Sequence, residues 1–284
     1  LDANYILIDN LYAERYCSLF NLPSGVKYKF YDHDLKNFTL QNIKKIDVII
    51  HLAAFTDATK SLINKKKYLE NNIGITKKIL NFARLKKSKL IYISSTSIYG
   101  SQKDIINEDC DISELNPQSP YAVSKLEEER LIKQFNHKYN LKSTILRFGT
   151  IFGTSEGMRF HTAVNKFCYQ ASIGQKITVW KTALNQKRPY LDLKDGVRSI
   201  LFCIERNLFN GEVYNVLTHN LTVKEIVNEI KKTYPKQEIK FVNSPIMNQL
   251  SYTVETSKFK SEGFKYRGNI SKSIKKTLNL IKLY

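Results

Sequence analysis

Cysteine and long apolar runs are both scarce in this 284-residue chain. Only four cysteines occur, Cys17, Cys110, Cys168 and Cys203, and they are widely spaced without a CxxC pair. This spacing predicts reduced thiols and no metal site. No apolar run approaches membrane-spanning length and no secretory signal opens the chain, so we expect a cytoplasmic protein without a membrane partner.

Acidic residues are also few relative to basic ones. The chain has 45 Lys and Arg against 26 Asp and Glu, for a formal net charge of +19. A nucleic-acid surface would explain such a balance, but neither an aromatic-basic RNA motif nor a DNA-reading helix is present. The lysines occur in short clusters along the chain, which favours solvated helix faces and attraction to an anionic small substrate over a nucleic-acid partner.

The residues that point to chemistry begin at a predicted helix start, Ser119 to Lys125. Pro120 suits the first turn of a helix. Tyr121 and Lys125 are four residues apart, so they share one helix face. A lysine ammonium beside a phenol lowers the pKa of the tyrosine, which would provide a proton-transfer group near neutral pH. Taken alone, the same spacing is also typical of an ordinary amphipathic helix.

A second stretch, Lys89 to Gly100, predicts a short buried parallel strand that ends in hydroxyl residues. Ligands of open α/β sheets bind at that end of the strands. We expect a serine there to hydrogen-bond the hydroxyl on which Tyr121 acts. A strand, a hydroxyl cluster, Tyr-Gly and then Pro-Tyr-x-x-x-Lys, in that order, resemble the extended short-chain dehydrogenase/reductase family, and within it the nucleotide-sugar epimerase/dehydratase branch.

This resemblance extends from the first residues to about Ile281 and implies the fold. The expected architecture is α/β, a doubly wound, Rossmann-like parallel sheet whose first strand is missing, with a smaller interleaved α/β substrate domain. The implied NAD-binding domain covers 1–155, with 190–216 returning to it. The implied substrate domain covers 156–189 and 217–284.

NAD is the implied cofactor. Asp9 ends the first predicted strand and matches the acid that binds the adenosine ribose, where a carboxylate favours NAD. The chain has no glycine-rich turn for the pyrophosphate, so we expect a fragment that lacks roughly 20 to 25 preceding residues; the alternative is a protein that cannot hold NAD in the usual way. The full set of implied cofactor-binding residues is Asp9, Asn10, Asp34, Leu35, Leu52, Ala53, Ala54, Tyr121 and Lys125.

The resemblance also implies catalytic and substrate-binding residues. Ser95 falls on the family's catalytic Ser/Thr position, beside Tyr121 and Lys125. Tyr121 would remove a sugar hydroxyl proton, Lys125 would lower its pKa and orient the cofactor ribose, and Ser95 would hold the oxygen. The implied substrate-binding residues are Thr56, Thr96, Arg159, Asn165 and Arg188.

Four further features receive structural interpretations. His51 lies in a His-Leu-Ala-Ala motif, which indicates a structural or cofactor-lining residue. Arg147 is expected to be structural. The run 127–129 of three glutamates is expected to form a solvated helix face, and Asp195 is expected to cap a helix.

The predicted activity is NAD-dependent 4-epimerase-like conversion of a nucleotide-diphosphate sugar in surface-polysaccharide sugar metabolism. A nucleotide-sugar C4 dehydrogenase or reductase is the alternative, because the same residues serve both reactions. A 4,6-dehydratase is less expected, because Thr96 and Ser97 occupy the positions of its Asp-Glu pair and hydroxyls do not easily move protons during elimination. A non-catalytic sugar-nucleotide- or RNA-binding protein is a further possibility. The family also implies a homodimer through the 61–87 and 121–138 helices.

Overall fold

The computed structural model describes residues 3–100, 105–243 and 251–282. The strands are β1 (Asn4–Asp9), β2 (Lys27–Asp32), β3 (Val48–His51), β4 (Lys89–Ser95), β5 (Ile105–Ile106), β6 (Ser143–Phe148), β7 (Thr150–Phe152), β8 (Ile177–Trp180), β9 (Lys187–Asp192), β10 (Val213–Val216), β11 (His219–Thr222), β12 (Ile239–Val242) and β13 (Thr253–Val254). The helices are α1 (Ala58–Ile63), α2 (Lys65–Lys86), α3 (Pro120–Tyr139), α4 (Ala163–Ser172), α5 (Leu193–Glu205), α6 (Val223–Lys231), α7 (Ser257–Ser261) and α8 (Ile270–Ile281).

A four-stranded parallel sheet in the order β10-β6-β4-β3 forms the centre of the fold. Along β4, alternate side chains enter opposite cores, because successive residues of a strand point to opposite faces. Leu90 and Tyr92 pack in the core that α2 and α3 cover. Ile91 packs in the core that contains residues of α5 and α7. Helices on both faces confirm the predicted doubly wound α/β sheet.

Strands β1 and β2 form a separate parallel pair, in which Asp9 lies opposite Asp32. Apolar side chains of this pair, including Ile6 and Ile8, pack against the core under α2 and α3. The two parallel sheets therefore share one hydrophobic core, and the carboxyl end of β1 ends in the acid of the predicted ribose contact.

The remaining elements form smaller sheets and a helical layer. Strands β7 and β11 flank β9, and β8 pairs with β12. Helices α4, α6 and α8 share a core with these strands. Thr222 begins α6 with a capping box that includes Glu225, a pattern that fixes a helix start. The predicted division into two domains stays a prediction.

Three local predictions are wrong. The helix predicted over 61–87 is two helices that meet at Asn64. The apolar run 46–54, which the sequence predicts as a buried parallel strand, contains β3; among the described residues β3 pairs with β4 alone, and Ile50 is 39% exposed. The cap of α5 is Asp192, which accepts from Lys194 N; Asp195 lies in the first turn and is fully buried.

Candidate active site

The start of α3 places two functional side chains on one face. The Ser119 hydroxyl accepts a hydrogen bond from Ala122 N at 3.2 Å, and Pro120 occupies the first turn. Tyr121 N donates to the Ser61 hydroxyl of α1 at 3.3 Å, which fixes the backbone of this turn. Tyr121 therefore lies at the helix start and Lys125 one turn further along.

The carboxyl end of β4 brings Ser95 to this helix start. Ser95 pairs with Phe148 of β6 in parallel register, and its hydroxyl accepts from Ser97 N at 3.2 Å. The hydroxyl of Ser95 also hydrogen-bonds the phenol of Tyr121. The sheet edge and the helix thus converge on one hydroxyl–phenol pair. The sequence predicted that these two residues, 26 positions apart, act on the same substrate oxygen, and that shared contact stays a prediction.

The electrostatics of Tyr121 differ from the prediction. Burial raises the pKa of its phenol to about 12, against the lowering effect of the Ser95 hydrogen bond; the charge of Glu128 raises it further and that of Arg159 lowers it. The expectation that Lys125 lowers this pKa is wrong for the structure described. The reason is the orientation of the Lys125 side chain. Its ammonium is directed toward strand β4, where it donates to the Tyr92 hydroxyl at 3.1 Å and to the Ile93 carbonyl at 2.9 Å.

Lys125 is enclosed by the protein. Its side chain lies over the Tyr92 ring, with Nζ 4.6 Å from the centroid, and the residue is 4% exposed. Burial lowers the pKa of this ammonium, and the charges of Glu128 and Glu129 raise it in turn. An ammonium has three N–H donors and two are used here, so one remains for another acceptor.

The run of three glutamates on α3 is a solvated face only at Glu127, whose side chain is 41% exposed. Glu128 and Glu129 are buried, contrary to the prediction. They lie three and four residues after Lys125, so helical geometry places them on the same inward face. That spacing is the sequence signal that would have revealed their burial.

The two buried glutamates have different partners. Glu129 forms an ion pair with Arg147, from Nη2 to Oε2 at 2.7 Å and from Nε to Oε1 at 3.0 Å. Glu128 Oε2 accepts from the Thr76 hydroxyl of α2 at 2.6 Å. The Thr76 oxygen in turn lies 2.9 Å from His51 Nε2. These contacts give Arg147 and His51 structural roles in the interior, as predicted.

The charge of Arg159 acts on the Tyr121 phenol, and other basic side chains lie near Arg159. Arg159 donates to the Thr56 hydroxyl at 2.7 Å, so two predicted substrate contacts meet. Burial and the charge of Arg15 lower the pKa of Arg159. Burial and the charge of Arg159 lower the pKa of His161. The sequence analysis missed Arg15 and His161, which no motif separates from the other basic residues.

The predicted cofactor residues occupy strand ends. Asp9 Oδ1 accepts from Leu11 N at 2.7 Å, Asn10 Oδ1 accepts from Tyr12 N at 3.2 Å, and Asp34 Oδ1 accepts from Lys36 N at 2.8 Å. The exposed carboxylate of Asp9 and the free N–H of Lys125 suit ribose hydroxyls. These donors and acceptors therefore fit the two ribose ends of a dinucleotide.

The apolar members of the cofactor set follow a different pattern. Leu35 is buried, whereas Leu52, just beyond β3, is 60% exposed, and Ala53 and Ala54 are half-buried. An exposed leucine followed by small residues at the end of a parallel strand suits contact with a flat ring. The cofactor contacts of this set stay predictions.

Three predicted substrate residues lie in other contacts. The buried Thr96 hydroxyl donates to the Phe148 carbonyl at 3.4 Å. The Asn165 amide accepts from Gly153 N at 3.1 Å and donates to Gly153 O at 3.2 Å. Arg188 donates to Gln186 Oε1 at 2.9 Å and lies 5.4 Å from the Tyr252 ring centroid. Their substrate contacts stay predictions.

Two negative findings apply to the described ranges. Within them, no group of three or more His, Cys, Asp or Glu side chains is placed to hold a metal ion. Across the same residues, every helix is too short or too polar to cross a bilayer. All four cysteines are free thiols, as predicted.

A doubly wound parallel sheet with a serine–tyrosine pair at its carboxyl edge, and a buried lysine one helical turn from the tyrosine, defines the class of short-chain dehydrogenases/reductases. The sequence matches the profile of the NAD dependent epimerase/dehydratase family over residues 4–216. The chain therefore belongs to that family. The family is NAD-dependent, in agreement with the predicted cofactor.

Curated relatives include enzymes of sugar-nucleotide metabolism. The chain is 31% identical over 250 residues to dTDP-D-glucose 4,6-dehydratase of Dictyostelium discoideum, covering 80% of this chain and 56% of that protein. It is 27% identical over 293 residues to a trifunctional UDP-glucose 4,6-dehydratase/epimerase/reductase of Arabidopsis thaliana, covering 98% of this chain and 43% of that protein. The chain thus spans about half the length of these relatives.

Solved structures share the fold. UDP-glucuronic acid 4-epimerase from Bacillus cereus, in complex with UDP-glucuronic acid and NAD, has a TM-score of 0.88 at 24% identity, covering 98% of this chain and 91% of that one. DesIV, a dTDP-glucose 4,6-dehydratase from Streptomyces venezuelae with NAD bound, has a TM-score of 0.86 at 19% identity, covering 98% and 87%. Epimerases and dehydratases therefore have the same architecture as this chain.

Proposed function

We propose that the protein is an NAD-dependent nucleotide-sugar 4-epimerase. The observation that carries the proposal is the hydrogen-bonded Ser95–Tyr121 pair at the carboxyl edge of β4. A phenol held by a hydroxyl at this edge is placed to exchange a proton with a sugar alcohol. The cations beside it suit a substrate with a diphosphate group, because guanidinium groups bind phosphate oxygens well.

In the proposed reaction, NAD supplies a hydride acceptor for the sugar carbon. Tyr121 takes the proton of the sugar hydroxyl, and Ser95 donates a hydrogen bond to the same oxygen. Burial alone holds the Tyr121 phenol in its protonated form, with a pKa of about 12. A positive charge near the phenol must offset this burial, and Arg159 is the cation whose charge lowers the pKa of Tyr121. The same Tyr121 returns the proton after the keto sugar has presented its other face, and the hydride held by the cofactor would go back to the sugar carbon.

The residues after Ser95 favour epimerisation over dehydration. Loss of water requires a group that donates a proton and another that removes one beside the reacting carbons. Thr96 is buried and donates to the Phe148 carbonyl, and Ser97 carries only a second hydroxyl. The two acids on the inner face of α3, Glu128 and Glu129, are fully enclosed behind Lys125.

A 4,6-dehydratase is the second candidate, because curated relatives carry that name. A dehydrogenase or reductase would use the same tyrosine, lysine and serine. The products separate these activities. Epimerisation gives the inverted sugar with no net redox change, dehydration gives a 4-keto-6-deoxy sugar, and a dehydrogenase produces NADH in proportion to product.

The test is incubation of the purified protein with NAD and a panel of UDP-, GDP- and dTDP-sugars, followed by NMR of the products. We expect the 4-epimer of one sugar nucleotide and no accumulation of NADH. A 4-keto-6-deoxy product or stoichiometric NADH would replace the epimerase proposal. Tyr121→Phe is the control for activity of the site, and Tyr139→Phe, at the exposed far end of α3, is the control for substitution of a tyrosine.

The proposed partners follow from the same reasoning. The substrate is a nucleotide-diphosphate sugar, with Arg159 and Thr56 as its nearest predicted contacts to Tyr121. A homodimer through α2 and α3 and a cytoplasmic location stay predictions. In the chain itself these two helices pack against each other, so a dimer would use their outer faces.

A further inference from the structure

Glu128 is the one acid on the inner face of α3 without a cation against it. The neighbouring Glu129 has both oxygens on Arg147 and accepts from the Ser94 hydroxyl at 2.5 Å as well. Glu128 is 0% exposed, its Oε2 accepts from the Thr76 hydroxyl, and its carboxylate also hydrogen-bonds the Tyr92 hydroxyl. Its Oε1 is buried with no hydrogen-bond partner among the described residues.

Lys125 likewise lacks an ion-pair partner of opposite charge among the described residues. Its ammonium contacts a hydroxyl and a carbonyl, and within the described ranges no carboxylate lies in ion-pair contact with it. Glu128 follows it by three residues on the same helix, and its charge has the largest favourable influence on the charged form of Lys125. A buried charge that lacks a partner is costly, so each of these groups stabilises the charged form of the other.

The groups that face this pair leave Lys125 as the cation available to Glu128. From β4, Tyr92 contributes a hydroxyl whose pKa is raised well above its ordinary value by burial and then by Glu128. From β3, burial lowers the pKa of His51 to about 3, so this ring is neutral. From β6, Arg147 is committed to Glu129. Tyr121, on α3 itself, is protonated in the same range.

The Thr76 contact defines the direction of the hydrogen bonds around Glu128. The Thr76 hydroxyl has one hydrogen, which it donates to Glu128 Oε2. Its oxygen can then only accept from His51 Nε2–H. Every hydrogen in this chain points toward Glu128, which is the arrangement that an ionised carboxylate requires.

We propose that Glu128 is a positioning residue that keeps the buried Lys125 protonated, so that its remaining N–H is available to the cofactor ribose. The charge pairing concerns this chain alone. The catalytic consequence rests on the proposed function.

The first test is a double-mutant cycle on the free protein. Glu128→Gln keeps an oxygen for Thr76 and removes the charge, and Lys125→Met removes the ammonium. We expect each single variant to lower the unfolding temperature and the double variant to lower it by less than the sum, because it removes both charges together. Glu127→Gln, one residue away and exposed, is the matched control and should unfold near the wild type. Additive single effects would overturn the pairing.

The second test observes Lys125 directly. The protein is labelled at lysine Cε, the Lys125 signal is assigned with Lys125→Met, and its ¹³C shift is followed with pH without cofactor. We expect titration at lower pH in Glu128→Gln than in the wild type, and no displacement in Glu127→Gln, because removal of a nearby negative charge disfavours the ammonium. Equal titrations in the wild type and Glu128→Gln would overturn the proposal.

The third test separates this inference from the proposed function. With an active sugar nucleotide, Glu128→Gln should lose roughly tenfold in turnover at alkaline pH and less at neutral pH, with the descending limb of its profile moved toward neutrality. An unchanged profile beside a displaced Lys125 titration would overturn the positioning role. If no nucleotide sugar reacts but the cycle and the titration behave as expected, the proposed function fails and the charge pairing stands.

Discussion

Two buried polar clusters lie under α3, and they differ in how completely their charges are paired. We define the arginine cluster as Ser94, Tyr99, Glu129, Arg147 and Asn215, and the lysine cluster as His51, Thr76, Tyr92, Lys125 and Glu128. In the first, a carboxylate and a guanidinium meet at 2.7 Å, and Arg147 Nη1 also donates to the Tyr99 hydroxyl at 2.7 Å. In the second, carboxylate and ammonium influence each other without contact.

The difference predicts that helix α3 contributes to stability through one cluster and to the proposed chemistry through the other. The bidentate ion pair of Arg147 is enclosed in the interior, where all three guanidinium nitrogens donate to Glu129 or Tyr99 and the residue is 1% exposed. Among the described residues, the lysine cluster leaves one N–H of Lys125 and the Oε1 of Glu128 without a hydrogen-bond partner. A buried polar network that is incompletely paired costs stability, and such costs are typical of functional sites. The arginine cluster should therefore control folding, and the lysine cluster should control activity.

The largest effect is expected on turnover, from substitution of Tyr121, which lies one helical turn before Lys125 of the lysine cluster. Tyr121→Phe retains the ring and loses the phenol, so turnover should fall by about a thousandfold or more, the range for loss of a general acid–base group. Binding of the nucleotide sugar and the free energy of unfolding should change little. Steady-state kinetics with calorimetric binding measure both, against Tyr139→Phe. Undiminished turnover would reject the mechanism, and with it the assignment of activity to the lysine cluster.

The next effect should fall on the arginine cluster. Arg147→Met leaves Glu129 buried without a cation, and breaking one side of such a pair costs about 3–5 kcal/mol in the free energy of unfolding. Denaturant unfolding gives this quantity. The matched control is Arg130→Met, whose pair with Glu127 is largely exposed and should contribute less than about 1 kcal/mol. Equal losses in the two variants would contradict the structural role of the cluster.

His51, a member of the lysine cluster, predicts that the free energy of unfolding depends on pH. The folded pKa of His51 is lowered to about 3, from an ordinary value of 6.5. Below pH 6.5 the unfolded chain takes up this proton and the native protein does not, so the contribution of His51 is complete above pH 6.5 and is lost as the pH falls toward 3. Between pH 6.5 and 4.5 the loss should be about 2–3 kcal/mol.

The variant that isolates this contribution is His51→Gln, which keeps an N–H for Thr76 without a titratable ring. Its free energy of unfolding should vary less with pH over this interval than that of the wild type, as measured by denaturant titrations at several pH values. His33→Gln, at an exposed histidine, should retain the wild-type dependence. If His51→Gln also retains it, His51 is not buried neutral.

The comparison also shows what the sequence could and could not predict. Strand β4 and the start of α3 follow from local patterns, and the choice of Ser95 and Tyr121 follows from the order of the motifs. The burial of Glu128 and Glu129 was missed because charged residues on a helix usually face solvent. What buries Glu129 is Arg147 on another element, 18 residues away.

The direction of Lys125 was missed for a related reason. Its spacing from Tyr121 is a local feature, but its rotamer depends on the Tyr92 hydroxyl, 33 residues earlier in the chain. Long side chains choose among partners that only the folded sheet supplies. Sequence spacing therefore selected Tyr121 as the candidate proton-transfer group and gave the wrong sign for the shift of its pKa.

The smallest expected effect separates the two clusters at adjacent residues. Ser94 donates to Glu129 and belongs to the arginine cluster, whereas Ser95 hydrogen-bonds Tyr121 at the mouth of the sheet. Ser94→Ala should lower the free energy of unfolding by about 1–2 kcal/mol, because it removes one hydrogen bond to a buried carboxylate, and leave turnover nearly unchanged. Ser95→Ala should do the reverse, lowering turnover while thermal unfolding stays close to that of the wild type. If both variants affect the same property, the two clusters act as one network, and the division of helix α3 between folding and chemistry does not hold.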